Sequence, residues 1–548
     1  MTPCSFSIFF VFFFLSISHQ VLASEKAYDF VIKEALVFNG ESMEPVKQDI
    51  AITGNRIVQI GEIAPEEAKE VIEAEGLAAA PGFIDFHTHS DFNPFVYSDL
   101  GNKVLQGVTT EIVGNCGMSA APVTGALANV WQREGVQIPT KLGWENFKEY
   151  KDETELRGLD TNFVGLIGHG NLRSARVGME PNQLSAEQIE DLKKELDDAL
   201  DDGAFGVSFG LTYLPGVFTK KEELVEICRV AGLKKRLCTF HLRSESKNLL
   251  EALREAIQIG KEAGAPIHIS HLKASGRNNW PKITRAFQLI EKAQARGQQI
   301  TADVYPYTAG FAELGVTLPD KFYQDPNRAT RFKDLAKRGK LLRELRKYYE
   351  KSPVSWDSVK VATVTQSKNF ALQGKSIQQI AESRGKTPTE TLVELLAEEE
   401  FKVSAFYFSQ TESVIEQVLA KPYVVIGSDS IADGSALPHP RAYGTFPRML
   451  ARCPKDRVTR DSCWGSVINQ MTGRPAQILG LANRGKIIPG AYADLVLFDP
   501  ETIQDEADYT HPKTKPKGIE WVFINGKPTV REGKYKPVHA GLFLIPEK

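Results

Sequence analysis

The stretch Pro81-Gly-Phe-Ile-Asp-Phe-His-Thr-His-Ser90 decides the fold of this chain. It predicts a β-strand in which alternate side chains share a face, so Asp85, His87 and His89 are expected to project together. Two imidazoles on one face can bind a single cation. The alternative is that the two histidines are simply buried or on the surface and bind no metal. The remaining sequence must decide between these two interpretations.

The composition limits the size and the partners of the protein. With 548 residues, 42% of them hydrophobic, the chain exceeds the ~250–300 residues at which single cores usually stop growing, so several units are expected. The net charge of -3 is spread over interspersed signs and gives no basic face for nucleic acid. A small-molecule partner is therefore expected.

An apolar run at residues 8–17, followed by Val21-Leu-Ala23, predicts a signal peptide over 1–23. The run is shorter than the ~20 apolar residues that span a membrane, so no membrane span is expected in the mature chain. No Lys or Arg precedes the run, which leaves an uncleaved anchor as the alternative. A secreted or periplasmic location is expected.

Six cysteines are present, and Cys4 falls in the predicted signal peptide. The five that remain leave at least one thiol free or bound to metal, and the pairing of the others is not determined. No Cys-x-x-Cys pair indicates a zinc ribbon or a thioredoxin-like site.

Strand-like runs alternate with helical ones through the middle of the chain, which favours a (β/α)8 TIM-like barrel over 81–484. One helix is marked by a capping box from Ser185 to Gln188 and by leucines at helical spacing. The eight strand-like runs are 83–89, 107–114, 162–169, 204–210, 237–241, 266–271, 300–304 and 423–428.

Short β-like runs with tight-turn dipeptides occur at both ends of the chain. They predict one small β-sandwich domain built from residues 24–80 and 485–548. The seventh and eighth strands are separated by a connection too long for an ordinary loop. An inserted subdomain or lid over 311–420 is expected there, and a surface excursion without a role is the alternative.

Reactive side chains follow the predicted strands, where the active sites of such barrels lie. They are His87, His89, Cys116, His169, His241, His271 and Asp429. Imidazole nitrogen and thiolate sulfur are ligands that suit zinc, with a carboxylate as a further group. The sequence therefore predicts a zinc site at this end of the barrel.

Over almost its whole predicted mature length the chain resembles the N-acyl-D-amino-acid deacylase (D-aminoacylase) family of the amidohydrolase superfamily. The most specific match is Asn115-Cys-Gly117. Many amidohydrolases bridge two metals with a carboxylated lysine, whereas the family that this chain resembles has a cysteine at the second strand instead. The other matching stretches are 81–89, 107–110, 241–245, 269–273, 303–307, 427–429, 438–441, 485–490 and 493–496.

The resemblance implies roles for individual residues. Cys116, His241 and His271 would hold the principal zinc, and His87 and His89 would give a weaker second position. Asp429 would act as general base and then as general acid. His169 is interpreted as structural or as a support to the ligands.

Arg243 and Glu245, which follow a candidate ligand, would either orient it or form plain ion pairs.

The same resemblance implies that Arg441, Lys273 and Tyr305 bind the free carboxylate of an N-acyl amino acid, a group that suits an arginine fork. Alternatively, these residues are solvated charges and a core aromatic ring. The segment 310–314 departs from the family pattern. There Phe311 would favour apolar substrate side chains, and Glu313 would disfavour acidic ones if it faces the site.

The resulting hypothesis is a zinc-dependent hydrolase of linear amides that releases a D-amino acid from its N-acyl derivative. One alternative is another amidohydrolase reaction, by a dipeptidase or a cyclic amidase. A second is a binding protein that keeps the fold without catalysis, although such a role does not need the complete set of reactive residues. Oligomeric state is not indicated.

Overall fold

The computed structural model describes residues 26–97, 101–133, 137–325, 327–352, 354–431 and 437–547. The predicted signal peptide lies outside the described residues. Within these ranges no helix has both the length and the apolar character needed to cross a membrane.

The strands and helices alternate through the middle of the chain, as the sequence predicts. The strands are β1 (Tyr28–Val37), β2 (Val46–Thr53), β3 (Arg56–Gly61), β4 (Ala68–Glu73), β5 (Ala78–Pro81), β6 (Phe83–Asp85), β7 (Val108–Val113), β8 (Asn162–Gly165), β9 (Ile167–Gly168), β10 (Gly206–Gly210), β11 (Leu237–His241), β12 (Ile267–Ile269), β13 (Ile300–Val304), β14 (Ala309–Glu313), β15 (Val359–Val361), β16 (Ser404–Phe408), β17 (Val424–Ile426), β18 (Leu495–Phe498), β19 (Ile519–Ile524), β20 (Lys527–Arg531), β21 (Lys534–Tyr535) and β22 (Phe543–Leu544). The α-helices are α1 (Asn93–Val96), α2 (Gly125–Arg133), α3 (Phe147–Arg157), α4 (His169–Val177), α5 (Ala186–Asp201), α6 (Lys221–Leu233), α7 (Leu249–Ala263), α8 (Lys282–Gln294), α9 (Asp320–Tyr323), α10 (Arg328–Lys333), α11 (Leu335–Lys351), α12 (Ile377–Arg384), α13 (Pro388–Glu398), α14 (Glu412–Leu419), α15 (Arg441–Ala451), α16 (Arg457–Met471) and α17 (Gly473–Leu479).

The barrel consists of parallel strands that pair in chain order, from β6 through β13 to β17. Its third position is divided into β8 and β9, which only Leu166 separates. The ring closes between its first and last strands, because the Phe86 amide donates to the Ile426 carbonyl at 3.1 Å. Thr88 and Ser430 form a parallel bridge beyond them. The predicted barrel is confirmed.

Helix α5 shows how the sequence covers the barrel. Ser185 accepts from the Gln188 amide and the Gln188 side chain returns to the Ser185 backbone, which completes the predicted capping box. Leu192, Leu196 and Leu200 form its buried face. The other barrel helices contribute to the same apolar core between strands and helices, so the strands are buried on both faces.

The small β domain combines both ends of the chain, as predicted. Strand β5 pairs on one side with β1 and on the other with β18, within one nine-stranded sheet. The last strand, β22, departs from this unit because it pairs in parallel with barrel strand β8. The proposed domain boundaries stay predictions.

The insertion lies between β13 and β17 and has its own core. Its sheet has the order β14-β16-β15, and helices α9 to α13 pack against it. The predicted insertion is therefore a folded subdomain. Its buried apolar residues include Leu314, Phe332, Leu345, Leu392 and Phe401.

Glu313 does not face the candidate site. It is buried at the end of β14 and accepts from Arg328 NH2 at 2.8 and 3.0 Å. The condition under which Glu313 would disfavour an acidic substrate is therefore not met. An isolated buried carboxylate is costly, which explains why the insertion supplies a guanidinium to it.

We expect Glu313→Ala to lower the free energy of unfolding by about 3–5 kcal/mol, because it leaves Arg328 buried without its partner. A matched control is Glu344→Ala, which breaks the more exposed pair with Lys321 at 2.6 Å and should cost below about 1 kcal/mol. Urea unfolding of both variants measures the difference. Equal losses would contradict this account of the insertion.

Candidate metal centre and active site

Six of the predicted residues converge where the barrel strands end. His241 is the last residue of β11, and the others lie two to four residues after the ends of β6, β7, β12 and β17. Within this set, ligand atoms lie close enough to share a metal ion in two groups, one of His87, Cys116 and His271 and one of His87, His89 and Asp429. The two groups meet at His87.

Strand β6 ends at Asp85, so the alternation of side chains does not continue into the histidines. Asp85 binds Lys103 and Ser428, whereas His87 and His89 contact the other site residues. The prediction that Asp85 shares their face is therefore wrong. The strand is shorter than its sequence pattern indicates.

Three site residues have left-handed backbone conformations. The φ angles are 54° at Cys116, 36° at His271 and 51° at Asp429. Such angles are unfavourable for residues other than glycine and are often found at functional sites. They turn the chain at the end of its strand, so that each side chain points to the centre.

Two glycines make this close arrangement possible. A Cβ atom at Gly117 would lie 2.5 Å from the Gly210 amide nitrogen, and one at Gly427 would lie 2.5 Å from the Cβ of His87. Both separations are far below contact distance. Glycine is therefore required directly after Cys116 and two residues before Asp429.

The Cys116 sulfur lies among three imidazoles. It is 3.3 Å from Nε2 of His87, 3.5 Å from Nδ1 of His241 and 3.5 Å from Nε2 of His271. Zinc bonds of ~2.3 Å to sulfur and ~2.0–2.1 Å to nitrogen, at tetrahedral angles, give an edge of about 3.6 Å. The three sulfur–nitrogen distances are those expected around a zinc ion. Among the described residues, His87 and His271 form a metal-ligand group with Cys116, whereas His241 groups with Glu245 and His271.

The charge on Cys116 also suits a metal ligand. Burial raises the pKa of the thiol, but the neighbouring His87 and His271 lower it by more than burial raises it. The pKa therefore lies well below its usual range. The thiolate is the form that binds metal.

Asp303 supports two of the imidazoles, a role that was not predicted from the sequence. Its Oδ2 is 3.1 Å from Nδ1 of His87 and 2.9 Å from Nε2 of His268, and its Oδ1 accepts from the His271 amide at 2.9 Å. Burial raises the pKa of Asp303, but His87 and His268 outweigh it and the pKa is lowered. Its position near the end of β13 was the available signal.

Glu245 supports the next ligand. Its Oε1 lies 2.7 Å from Nδ1 of His271 and 2.7 Å from Nζ of Lys273. Burial raises its pKa, yet Lys273 and His271 lower it to about 2. A carboxylate on the outer nitrogen of a ligand histidine fixes the orientation of its ring.

Two other predicted residues are structural. Arg243 binds the Glu255 carboxylate and the carbonyl oxygens of Val217 and Thr219, so it does not orient a ligand. His169 begins α4 and pairs with Glu223 at 2.8 Å. Neither belongs to the metal-ligand groups of the described residues.

Asp429 joins the metal centre to a cation. Its Oδ1 is 3.3 Å from Nε2 of His89 and 3.6 Å from Nε2 of His87, and its Oδ2 is 2.9 Å from NH1 of Arg441. Burial raises the pKa of Asp429, but Arg441 and His89 lower it more, so it lies well below its usual range. The carboxyl group is therefore ionised.

The three predicted substrate-binding residues lie close together. The centroid of the Tyr305 ring is 5.7 Å from Nζ of Lys273 and 4.7 Å from the guanidinium carbon of Arg441. Arg441 is buried, and its Nε has no hydrogen-bond partner among the described residues. Two cations and a phenol are thus gathered beside Asp429, as an anionic substrate group requires.

His439 holds Arg441 in place, a role that was not predicted from the sequence. Its Nδ1 accepts from the Arg441 amide at 3.0 Å, and its Nε2 donates to the Ala309 carbonyl at 3.0 Å. Burial and the Arg441 charge keep the pKa of His439 well below its usual range, so the ring is neutral. This contact also joins Arg441 to the start of β14.

Comparisons with known proteins identify the family of the chain. The model of the amidohydrolase family matches residues 70–300 and 372–530. The chain belongs to the amidohydrolase family. A D-aminoacylase of Alcaligenes xylosoxydans xylosoxydans is 31% identical over 95% of this chain and 98% of its own length. An N-acyl-D-glutamate deacylase from the same organism is 30% identical over 92% of the chain and 93% of its own length.

Solved amidohydrolase structures show the same architecture. The N-acyl-D-glutamate deacylase of Bordetella bronchiseptica, complexed with zinc and a phosphonate inhibitor, superposes with a TM-score of 0.78 at 29% identity. The match covers 94% of this chain and 99% of that chain. A D-aminoacylase structure also has a TM-score of 0.78 and covers 95% of this chain.

The geometry predicts that Cys116→Ala lowers zinc affinity at least about tenfold, because it removes the one thiolate that all three imidazoles surround. Zinc retained per chain after dialysis against a graded chelator measures this. Cys228→Ala is the matched control, since Cys228 is also a buried free thiol but lies on α6. Loss of zinc from both variants, or from neither, would contradict the assignment.

Proposed function

We propose that the protein is a zinc-dependent hydrolase that cleaves N-acyl-D-amino acids to a carboxylate and a free D-amino acid. The observation that carries this proposal is the joining of the Cys116 cluster to Arg441 through Asp429. This joining places a metal site beside an anion site. The D-aminoacylase and the two N-acyl-D-amino-acid deacylases among its relatives support the reaction and the D configuration.

The donor set supports zinc as the cofactor. Cys116, His241 and His271 are proposed to hold the tight position, and His87 and His89 the weaker second one. Zinc in such sites activates a water molecule and polarises a carbonyl group.

Asp429 is the proposed proton carrier. Its ionised carboxylate takes the proton of the attacking water and later donates it to the nitrogen of the departing amino acid. The 3.3 Å contact with His89 and the 2.9 Å contact with Arg441 fix both oxygens of the carboxylate. The Asp429 carboxylate therefore accepts and releases the proton from one fixed position.

Arg441, Lys273 and Tyr305 are proposed to bind the free carboxylate of the substrate. The buried Nε of Arg441 needs an acceptor, and a substrate carboxylate supplies one. Binding this group places the amide bond next to Asp429, which is bonded to the same guanidinium. The substrate would thus be oriented by its charge.

The substrate side chain is proposed to be apolar. Phe311 packs on Phe406 at 5.9 Å, and Phe406 lies 5.6 Å from His439. An aromatic wall therefore adjoins the residue that holds Arg441. A carboxylate placed against it would lose hydration without gaining a paired cation.

The first test is amino-acid release by the zinc-loaded protein from paired N-acetyl-D- and N-acetyl-L-amino acids. Release is expected from the D series, fastest for leucine, methionine and phenylalanine and at least about tenfold slower for aspartate and glutamate. Asp429→Asn should lower kcat at least about a hundredfold, because general acid–base groups contribute factors of ~10²–10⁴.

Faster release from the acidic substrates would refute only the apolar preference. Release from the L series alone would refute the proposed configuration. Turnover of dipeptides or cyclic amides instead would select the other amidohydrolase reactions, and zinc binding without turnover of any amide would select a binding role.

We also propose that the chain is exported and that the predicted signal peptide is removed before Ser24. The disulfide between Cys453 and Cys463 supports an oxidising compartment. N-terminal sequencing of the protein recovered from its host should begin at Ser24. A protein that retains its first residues while embedded in the membrane would favour the uncleaved anchor.

A further inference from the structure

Lys103 is a buried lysine to which the proposed reaction assigns no role. It precedes β7, and its Nζ lies 2.5 Å from Oδ2 of Asp85 and 2.9 Å from Oγ of Ser428. It also lies 3.6 Å from Oε2 of Glu111. Among the described residues, no other basic side chain has a nitrogen within 4 Å of either carboxylate.

Asp85 uses this charge to join the first and last strands of the barrel. Its Oδ1 accepts from the Ser428 amide at 2.7 Å and more weakly from the His87 amide at 3.4 Å. Its Oδ2 accepts from the Ser428 hydroxyl at 2.6 Å. The Asp85 carboxylate thus contacts Ser428, which immediately precedes Asp429, and His87, the first of the two histidines.

The next backbone bonds extend the same contact into the active site. The Asp429 amide donates to the His87 carbonyl at 2.7 Å, and the His89 amide donates to the Ser430 carbonyl at 3.0 Å. The separation of the Asp429 carboxylate from the two imidazoles is therefore determined by how these strand ends meet. Asp429 itself has a left-handed conformation that only its surroundings can maintain.

We propose that Lys103 is a positioning residue for hydrolysis, and that its ammonium group holds the Asp85–Ser428 contact that sets Asp429 against His87 and His89. This inference rests on the proposed function of the same site. Without Lys103, Asp85 and Glu111 remain as two buried carboxylates with no cation, so the contact between the strand ends shifts. Catalytic groups displaced by ~1 Å can lose ~10²-fold in rate.

A cavity adjoins Lys103 and Glu111. It measures about 180 Å³ and is lined by Lys103, Glu111, Asn93, Asn102 and Thr161, among others. Shortening Lys103 to alanine would extend the cavity by the volume of propylamine. A small alkylammonium ion can then replace the missing group.

The test is the steady-state kinetics of Lys103→Ala with and without propylammonium. We expect kcat to fall at least tenfold while KM stays within about threefold, since Arg441 and Lys273 are not disturbed. Propylammonium should restore kcat at least threefold with saturation, and tetramethylammonium at the same ionic strength should not. Lys103→Met keeps the bulk without the charge, so its kcat should also fall but not respond to the amine.

Lys33→Ala is the matched control, because Lys33 forms an equally short 2.5 Å pair with Asp49 in the small sheet. It should keep the kcat of the wild type and show no response to the amine. A second readout does not depend on activity or metal. Propylammonium should raise the melting temperature of the metal-free Lys103→Ala protein and leave that of Lys33→Ala unchanged.

A wild-type kcat in Lys103→Met overturns the positioning role, and it does so even if Lys103→Ala does not fold. If propylammonium changes neither the kcat nor the melting temperature of Lys103→Ala, an ammonium group at this place does not hold the contact, and the positioning role is also overturned. Absence of turnover by the wild-type protein refutes the proposed deacylase instead. The two failures are therefore distinct.

Discussion

The Cys116 sulfur sits among three imidazoles in the buried interior, and the polar architecture around it follows from this contact. Each ring presents one nitrogen to the centre, and a buried outer nitrogen needs a partner of its own. The carboxylate of Asp303 contacts the outer nitrogen of His87, and the carboxylate of Glu245 contacts that of His271. Both carboxylates then carry charge in the interior, which explains the short contacts they form.

The closed ring of strands allows this centre to exist. A parallel barrel directs all its strand ends to one face, so residues remote in sequence can meet without long loops. The chain turns at once after three of these strands, with left-handed backbone at Cys116, His271 and Asp429. The cost of those conformations is offset by the rigid strands that precede them.

Much of the site could be predicted from the sequence, because its residues follow strands whose apolar runs are plain. The position of Cys116, His241, His271 and Asp429 at strand ends required only the strand pattern and the barrel rule. The partners were harder to predict. Asp303 and His439 act through contacts between distant parts of the chain. The position of Asp303 near the end of β13 could have indicated its role, whereas the contact of His439 with Ala309 depends on the tertiary fold.

Local pattern also misled in one place. Alternation suggested that Asp85 faces the histidines, but the strand ends there and Asp85 turns to Lys103. The sequence also left open whether Glu313 faces the substrate, and the structure pairs it with Arg328 instead. In both cases a buried charge selects its cation, and only the tertiary fold determines where that cation lies.

The small sheet has a consequence for how the polypeptide becomes a protein. Its central strand β5 pairs with β18, which the ribosome makes only after the entire barrel. The first strands must therefore wait, with an unpaired edge, until synthesis is nearly complete. Contacts of such long sequence separation form slowly and leave strand edges open to aggregation. Translation that stops short of β18 would thus release a chain prone to associate with its neighbours.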